Sequence, residues 1–226
     1  MCGRYSVVID EAKLRKQFSR ELTEGSVLQQ SETYNMAPTQ YGPVITDKQP
    51  DRLSSFRWGL VPFWAKDLGI GARMINARSE SIAEKPSFRK AIRERRCLVI
   101  ADSFYEWKRE GGKKQPYRIL PSDDGLLVMA GIWERWQPKD DPEADPVYTY
   151  SIITGEPNAE MDPIHNRMPM LLQREEQQSN WLSDDLPLPQ VLELLQTPPD
   201  GTLRHYPVSP AVGNVRNNGP DLHLPL

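Results

Sequence analysis

Short runs of aliphatic, β-branched and aromatic residues follow one another along the chain, at 43–45, 53–58, 97–101, 104–108, 117–120, 126–133 and 148–153. They have the length of strands, and the regular strand–helix alternation of a doubly wound nucleotide fold does not separate them. Helical periodicity is confined to short stretches. Over 10–20, Asp10 is placed to cap a helix and Leu14 and Phe18 fall four apart. Two more are read at 87–94 and at 188–196, the latter with Val191, Leu192, Leu194 and Leu195 for burial. The 21 prolines are dispersed, so they fix turns and do not mark a linker. Only 137–146 reads as an exposed acidic loop. The pattern predicts an α+β fold, one domain over residues 1–226, with a strongly curved, barrel-like mixed or antiparallel β-sheet and short peripheral helices.

No apolar run approaches the ~20 residues of a membrane span. Met1-Cys2-Gly3-Arg4 also lacks the charged start and apolar core of a secretory signal. The expected setting is therefore the cytoplasm, at the nucleoid in a bacterium or in the nucleus of a eukaryote, without a membrane partner and as a monomer. The net charge of -3 conceals an asymmetry. Residues 1–118 carry 22 Lys+Arg against 14 Asp+Glu, and residues 119–226 carry 6 against 17. A basic half beside an acidic one suggests an anionic ligand on part of the surface, unless folding mixes the two.

The two cysteines differ in kind. Cys97 sits in an apolar strand-like run and reads as a core thiol. Cys2 follows Met1, which methionine aminopeptidases remove when the next residue is small; the mature chain is then expected to begin with a 1,2-aminothiol. An α-amine has an ordinary pKa of about 7.7–8.0, so much of it is unprotonated near neutrality. With an aldehyde it can form a Schiff base, which the neighbouring thiol closes to a five-membered thiazolidine. The cysteines are too far apart in sequence, and His165, His205 and His223 too isolated, to make a metal motif; no phosphate-cradling glycine loop occurs either. Neither a metal nor another cofactor is expected.

Other segments offer groups to assist Cys2. Met74-Ile75-Asn76-Ala77-Arg78-Ser79-Glu80-Ser81 concentrates an amide, a guanidinium and hydroxyls, and Asn76 is suited to bond a terminal amine. In Phe104-Tyr105-Glu106-Trp107-Lys108, strand alternation sets Glu106 opposite Tyr105 and Trp107, as a candidate acid–base carboxylate. Pro163-Ile164-His165-Asn166-Arg167-Met168-Pro169 places a proton-relaying histidine two residues from an arginine able to hold a phosphate. In Trp58-Gly59-Leu60-Val61-Pro62-Phe63-Trp64, Trp58 is expected to be buried. Pro62, Phe63 and Trp64 are expected at an exposed turn, with Pro62 and Trp64 set against nucleobases.

Met1-Cys2-Gly3-Arg4, Tyr34-Asn35-Met36-Ala37-Pro38, Trp58-Gly59-Leu60-Val61-Pro62, Ile75-Asn76-Ala77-Arg78-Ser79-Glu80, Tyr105-Glu106-Trp107-Lys108, Ile164-His165-Asn166-Arg167-Met168-Pro169 and the stretch from Val208 to Val215 together resemble the SRAP family, in order and over essentially the whole chain. The resemblance implies an abasic-site sensor that binds single-stranded DNA, links covalently to the ring-opened lesion through Cys2 and so shields it. By the same resemblance Asn76 orients Cys2, Glu106 is the acid–base carboxylate, His165 assists sugar opening, and Arg4, Arg78 and Arg167 hold phosphates. The Schiff base with the abasic sugar implies lyase-like chemistry, and the family's association with peptidase activity implies hydrolase chemistry as well. Two other readings compete: an N-terminal-nucleophile amidohydrolase, in which Cys2 attacks an amide carbonyl, and a single-strand binding module with no covalent step.

Overall fold

In the computed structural model the described residues are 2–18, 23–24, 32–141 and 143–226. In chain order the elements are β1 (Arg4–Val7), α1 (Glu11–Gln17), β2 (Thr23–Glu24), β3 (Thr33–Met36), β4 (Tyr41–Thr46) and β5 (Gln49–Trp58). They continue with β6 (Asn76–Arg78), α2 (Ala91–Glu94), β7 (Arg96–Ala101), β8 (Ser103–Glu110), β9 (Lys113–Pro121), β10 (Leu127–Trp136) and β11 (Val147–Gly155). The last are β12 (Met168–Pro169), α3 (Glu175–Leu182), α4 (Leu188–Glu193) and β13 (Leu203–Pro207). No helix among the described residues is long and apolar enough to cross a membrane.

The fold is α+β, as expected, and it is built on two sheets. One is antiparallel, in the order β13-β9-β8-β1-β3. In the other, β11, β10, β7, β4 and β5 close into a barrel. Its seam is the parallel pairing of Arg57 with Thr149 and Trp58 with Tyr150. Closure leaves these five strands without a free edge, and all six residues of β7 are buried. Strand β11 is the hub of the site. Past the seam its last residues pair with β6 on one side, Ile152 opposite Asn76 and Thr154 opposite Arg78. On the other side they pair with β12, Thr154 opposite Pro169.

Two buried charges hold the layers in place. Arg96 begins a core strand, yet its guanidinium donates to the carbonyls of Trp181 at 2.6 Å, Ile92 at 3.1 Å, Arg93 at 2.9 Å and Ser183 at 2.6 Å. Every bond goes to a carbonyl near the end of α2 or α3, where a cation is favoured. Asp102 accepts from the Val8 amide at 2.7 Å, the Ser6 hydroxyl at 3.0 Å and Arg118 Nη2 at 2.9 Å. It thus fastens β1 and β9 to the turn between β7 and β8.

A pair of glycines aims β6. Gly59 lies at φ +115°, and a Cβ there would collide with the carbonyl of Gly71, while one on Gly71 would collide with that of Gly59. This close approach lets the segment after β5 turn back on itself. Leu60 N–H then bonds the Met74 carbonyl at 3.1 Å, and the buried Trp58 indole N–H bonds that of Ile75 at 3.0 Å. Asn76 is the next residue.

The expected strands all occur, most of them longer than their apolar cores. The helix expected over 10–20 is α1, capped by Asp10 through the Lys13 amide at 2.7 Å; positions 19 and 20 lie outside the described residues. The helix expected over 87–94 is reduced to α2, because turns occupy the residues before it. Strands β1, β2, β3, β6, β12 and β13 and helix α3 are additions. They are short, or too polar for an apolar pattern to mark them.

Candidate functional site

The expected catalytic residues converge where the two sheets meet. Cys2 and Glu106 come from the antiparallel sheet, Asn76 and His165 from the barrel side. Cys2 precedes β1, whose register sets Arg4 opposite Tyr105 and so brings the N-terminal residues alongside Glu106. Cys2 is completely buried, its Sγ 3.8 Å from the Arg4 carbonyl. Asn76 Nδ2 donates to the Cys2 carbonyl at 2.8 Å, while its Oδ1 is buried with no hydrogen-bond partner among the described residues. Glu106 is also buried. As strand alternation predicts, its neighbours Tyr105 and Trp107 pack on the opposite face against Val208, Val212 and Leu222.

The charge of Glu106 couples Cys2 and His165. Burial, reinforced by the Glu106 charge, pushes the Cys2 thiol well above the ordinary thiol range. Burial pulls His165 below the usual imidazole range, and the Glu106 charge opposes that shift. His165 is carried on a tight turn in which its own N–H bonds the Met161 carbonyl at 2.9 Å. Its Nδ1 accepts the Arg167 main-chain N–H at 3.0 Å. That bond needs Nδ1 unprotonated, so in the neutral ring the proton sits on Nε2.

The three arginines stand differently from one another. The Arg78 guanidinium is exposed and makes no hydrogen bond or ion pair with the described residues; being two positions from Asn76 on β6, it leaves the strand on the same face. Arg4 Nη1 instead donates to Asn35 Oδ1 at 2.8 Å and the Val212 carbonyl at 2.9 Å, and Nη2 to the Gly213 carbonyl at 3.2 Å. Arg167 holds both carboxylate oxygens of Glu80, with Nη2 to Oε2 at 2.8 Å, and also donates to the Thr154 carbonyl at 2.5 Å. Pro62 corrects the expectation of an exposed turn: it is buried, its carbonyl accepting from Ala65 N–H at 2.9 Å. The open faces are those of Phe63, 52% exposed, and Trp64, 41% exposed. Trp64 borders an open groove of about 530 Å³ that also carries Lys66 and Arg73.

Sequence reasoning missed the groups that lock these parts together. Tyr5 and Tyr150, both fully buried, share a short hydroxyl–hydroxyl bond that pins β1 to β11. Gly42 is what admits it, since a Cβ there would collide with both hydroxyls. Asn35 Nδ2 bonds the carbonyls of Val212, Asn214 and Asn217 at 3.2, 3.0 and 2.8 Å, gathering the C-terminal segment beside Arg4. Asn35 belongs to the Tyr34-Asn35-Met36-Ala37-Pro38 motif; nothing in the chain pattern marks the partners of Tyr150 or Glu80.

The family model for SOS response associated peptidase (SRAP) matches residues 1–215. The abasic site processing protein YoqW of Bacillus subtilis (strain 168) is 42% identical over 227 residues, covering 98% of each chain. The abasic site processing protein HMCES of Gallus gallus is 33% identical over 267 residues, which cover 100% of this chain and 78% of its own. The crystal structure of a protein from Bacteroides thetaiotaomicron has a TM-score of 0.88 at 30% identity and covers 100% of both chains. A match of this extent agrees with the motifs in register and with the two-sheet architecture, and the chain belongs to the SRAP family.

Proposed function

We propose that this protein processes abasic sites in single-stranded DNA, using Cys2, freed of Met1, to form a thiazolidine crosslink with the ring-opened sugar. The observation that carries this reading is the burial of Cys2 against Asn76, in the field of Glu106 that also reaches His165. Relatives named abasic site processing proteins support the same reading.

The closed abasic sugar must first open. Glu106 takes the proton of the C1′ hydroxyl, the C1′–O4′ bond breaks as the aldehyde forms, and the proton passes to O4′. The Nε2–H of neutral His165 donates a hydrogen bond to that departing oxygen, as neutral imidazoles do elsewhere to polarise oxygen. The amine of Cys2, a residue whose carbonyl Asn76 Nδ2 holds, then attacks C1′. Loss of one water gives the imine, and the thiol sulfur adds to the same carbon while its proton moves to nitrogen. The order follows from the thiol's environment: a sulfhydryl pushed upward by burial is a poor first nucleophile. The same fact disfavours an amidohydrolase or peptidase in which Cys2 attacks as a thiolate. Arg78 is the cation open to a backbone phosphate, and Trp64 offers a ring for an adjacent base.

The test is denaturing electrophoresis of the protein, with Met1 removal verified, after mixing with single-stranded DNA carrying one abasic site. A retarded band without reductant, absent for the undamaged strand, is expected. Native binding with no such band would leave a non-covalent binding module in its place.

A further inference from the structure

We infer that the hairpin of β8 and β9 is a phosphate-binding arm, which grips the DNA backbone beside the abasic site with Arg109, Lys113 and Lys114. The inference rests on the DNA reading above and adds a holding point for the bound strand. Glu106 lies on β8, and the strand runs on from it through Trp107, Lys108 and Arg109 to the turn. At about 3.4 Å per residue, Arg109 stands ~10 Å beyond Glu106. Its charge still reaches His165, whose protonation it opposes. Gly111 and Gly112 form the turn at φ +54° and +79°, the left-handed pair that a two-residue hairpin loop requires. Strand β9 therefore returns in fixed register, with Lys113 opposite Glu110, Lys114 opposite Arg109 and Gln115 opposite Lys108.

The charges on this arm are not balanced within it. Like charges directly opposite on adjacent strands destabilise a sheet, yet Arg109 and Lys114 hold that position, both exposed. From Trp107 to Gln115 the single anion is Glu110, and Lys108 engages it. The side chains of Arg109, Lys113 and Lys114 make no hydrogen bond or ion pair with the described residues. Arg109 and Lys114 share one face of the ribbon, and Lys113 lies on the other, which is that of Glu106. A phosphate held between Arg109 and Lys114 would relieve their mutual repulsion. Lys113 would meet the strand on the side from which it leaves Glu106.

The experiment measures affinity for an undamaged single strand at several salt concentrations, and the rate of crosslinking to a saturating abasic strand. The double variant Arg109→Gln/Lys114→Gln is expected to lower the slope of log affinity against log salt by about 1.4, twice the single-strand value per phosphate. Adding Lys113→Gln is expected to bring the fall to about 2. The saturating crosslinking rate is expected to stay as in wild type, because the arm holds the strand and leaves the chemistry to the site. A control, Lys16→Gln/Lys139→Gln, removes the same charge from α1 and from the 137–146 loop and is expected to keep the wild-type slope. An unchanged slope in the triple variant overturns the inference. So does an equal fall in the control, which would make the effect one of net charge alone. A slower saturating rate with an unchanged slope also overturns it, since Arg109 would then act on the chemistry through His165. If wild type binds the strand but forms no adduct, the crosslinking reading fails, and the salt slopes still decide whether the hairpin is a phosphate arm.

Discussion

Arginines of one sequence type hold different places here, and substitution separates them. Arg78→Ala is expected to reduce the slope of log affinity against log salt by about 0.7, the single-strand value for one phosphate contact, in a fluorescence titration at several salt concentrations. An unchanged slope would remove Arg78 from the DNA interface. Glu106→Gln and His165→Ala are expected to fold normally and bind abasic DNA, yet to crosslink more slowly. The loss lies within the roughly 10²–10⁴-fold range of a missing acid or base, or below it because the amine is intrinsically reactive. Both deficits should shrink with a small aldehyde that needs no ring opening; equal slowing with both electrophiles would move these residues to the imine and ring-closure steps. The pH profile carries the same distinction. Reaction with either electrophile falls as the amine protonates below about pH 8. Because His165 is pulled below the usual imidazole range, its neutral form persists through pH 6.5 and is lost only lower. The abasic sugar alone is expected to show this second acidic limb.

Elements were legible where an apolar pattern is the cause of the structure. Strands β4, β5, β7, β8, β9, β10 and β11 each contain a run visible in the chain, and Asp10 marked the start of α1 by its capping chemistry. Short pieces that exist because a hub strand offers them an edge were not legible. Asn76 was read as a site residue from its neighbours, but the strand that presents it depends on β11, seventy-odd positions later, and on the approach of Gly59 to Gly71. Cys2, Asn76, Glu106 and His165 each sit in a distinctive local motif; the bond from Asn76 to the Cys2 carbonyl joins distant segments and leaves no local signature. The polar knot at Asp102 belongs to this scale. Asp102→Ala strands the Arg118 charge and the Val8 amide together, and is expected to lower stability by about 3–5 kcal/mol in urea denaturation. A change below about 1 kcal/mol would show that β1, β8 and β9 are held by their backbone ladders alone.

Across the molecule, the basic and acidic halves of the chain do not form separate bodies. Strands β10, β11 and β13 of the acidic half pair with β5, β6, β7 and β9 of the basic one. The sequence asymmetry is therefore no map of the surface, and the argument for DNA rests on Arg78, the Trp64 groove and the site itself. Acid sensitivity has a second source in His223. His223, stacked edge-on against Tyr34 at 4.8 Å, is pulled to about 4 chiefly by burial. The unfolded chain takes up that proton first, so the contribution to stability is complete above about pH 6.5 and is lost as pH falls toward 4. His223→Phe should flatten the fall of Tm in that window; an identical pH dependence in the variant would assign the fall to other groups. The central claim is the covalent chemistry of Cys2, and intact mass spectrometry tests it most directly. Wild-type protein lacking Met1, mixed with single-stranded DNA bearing one abasic site and no reductant, is predicted to give a species at the sum of the two masses less one water. That species should survive denaturation and be absent for Cys2→Ala until borohydride is added. Unmodified masses for wild type, or an equally stable adduct of Cys2→Ala without reductant, would contradict the account.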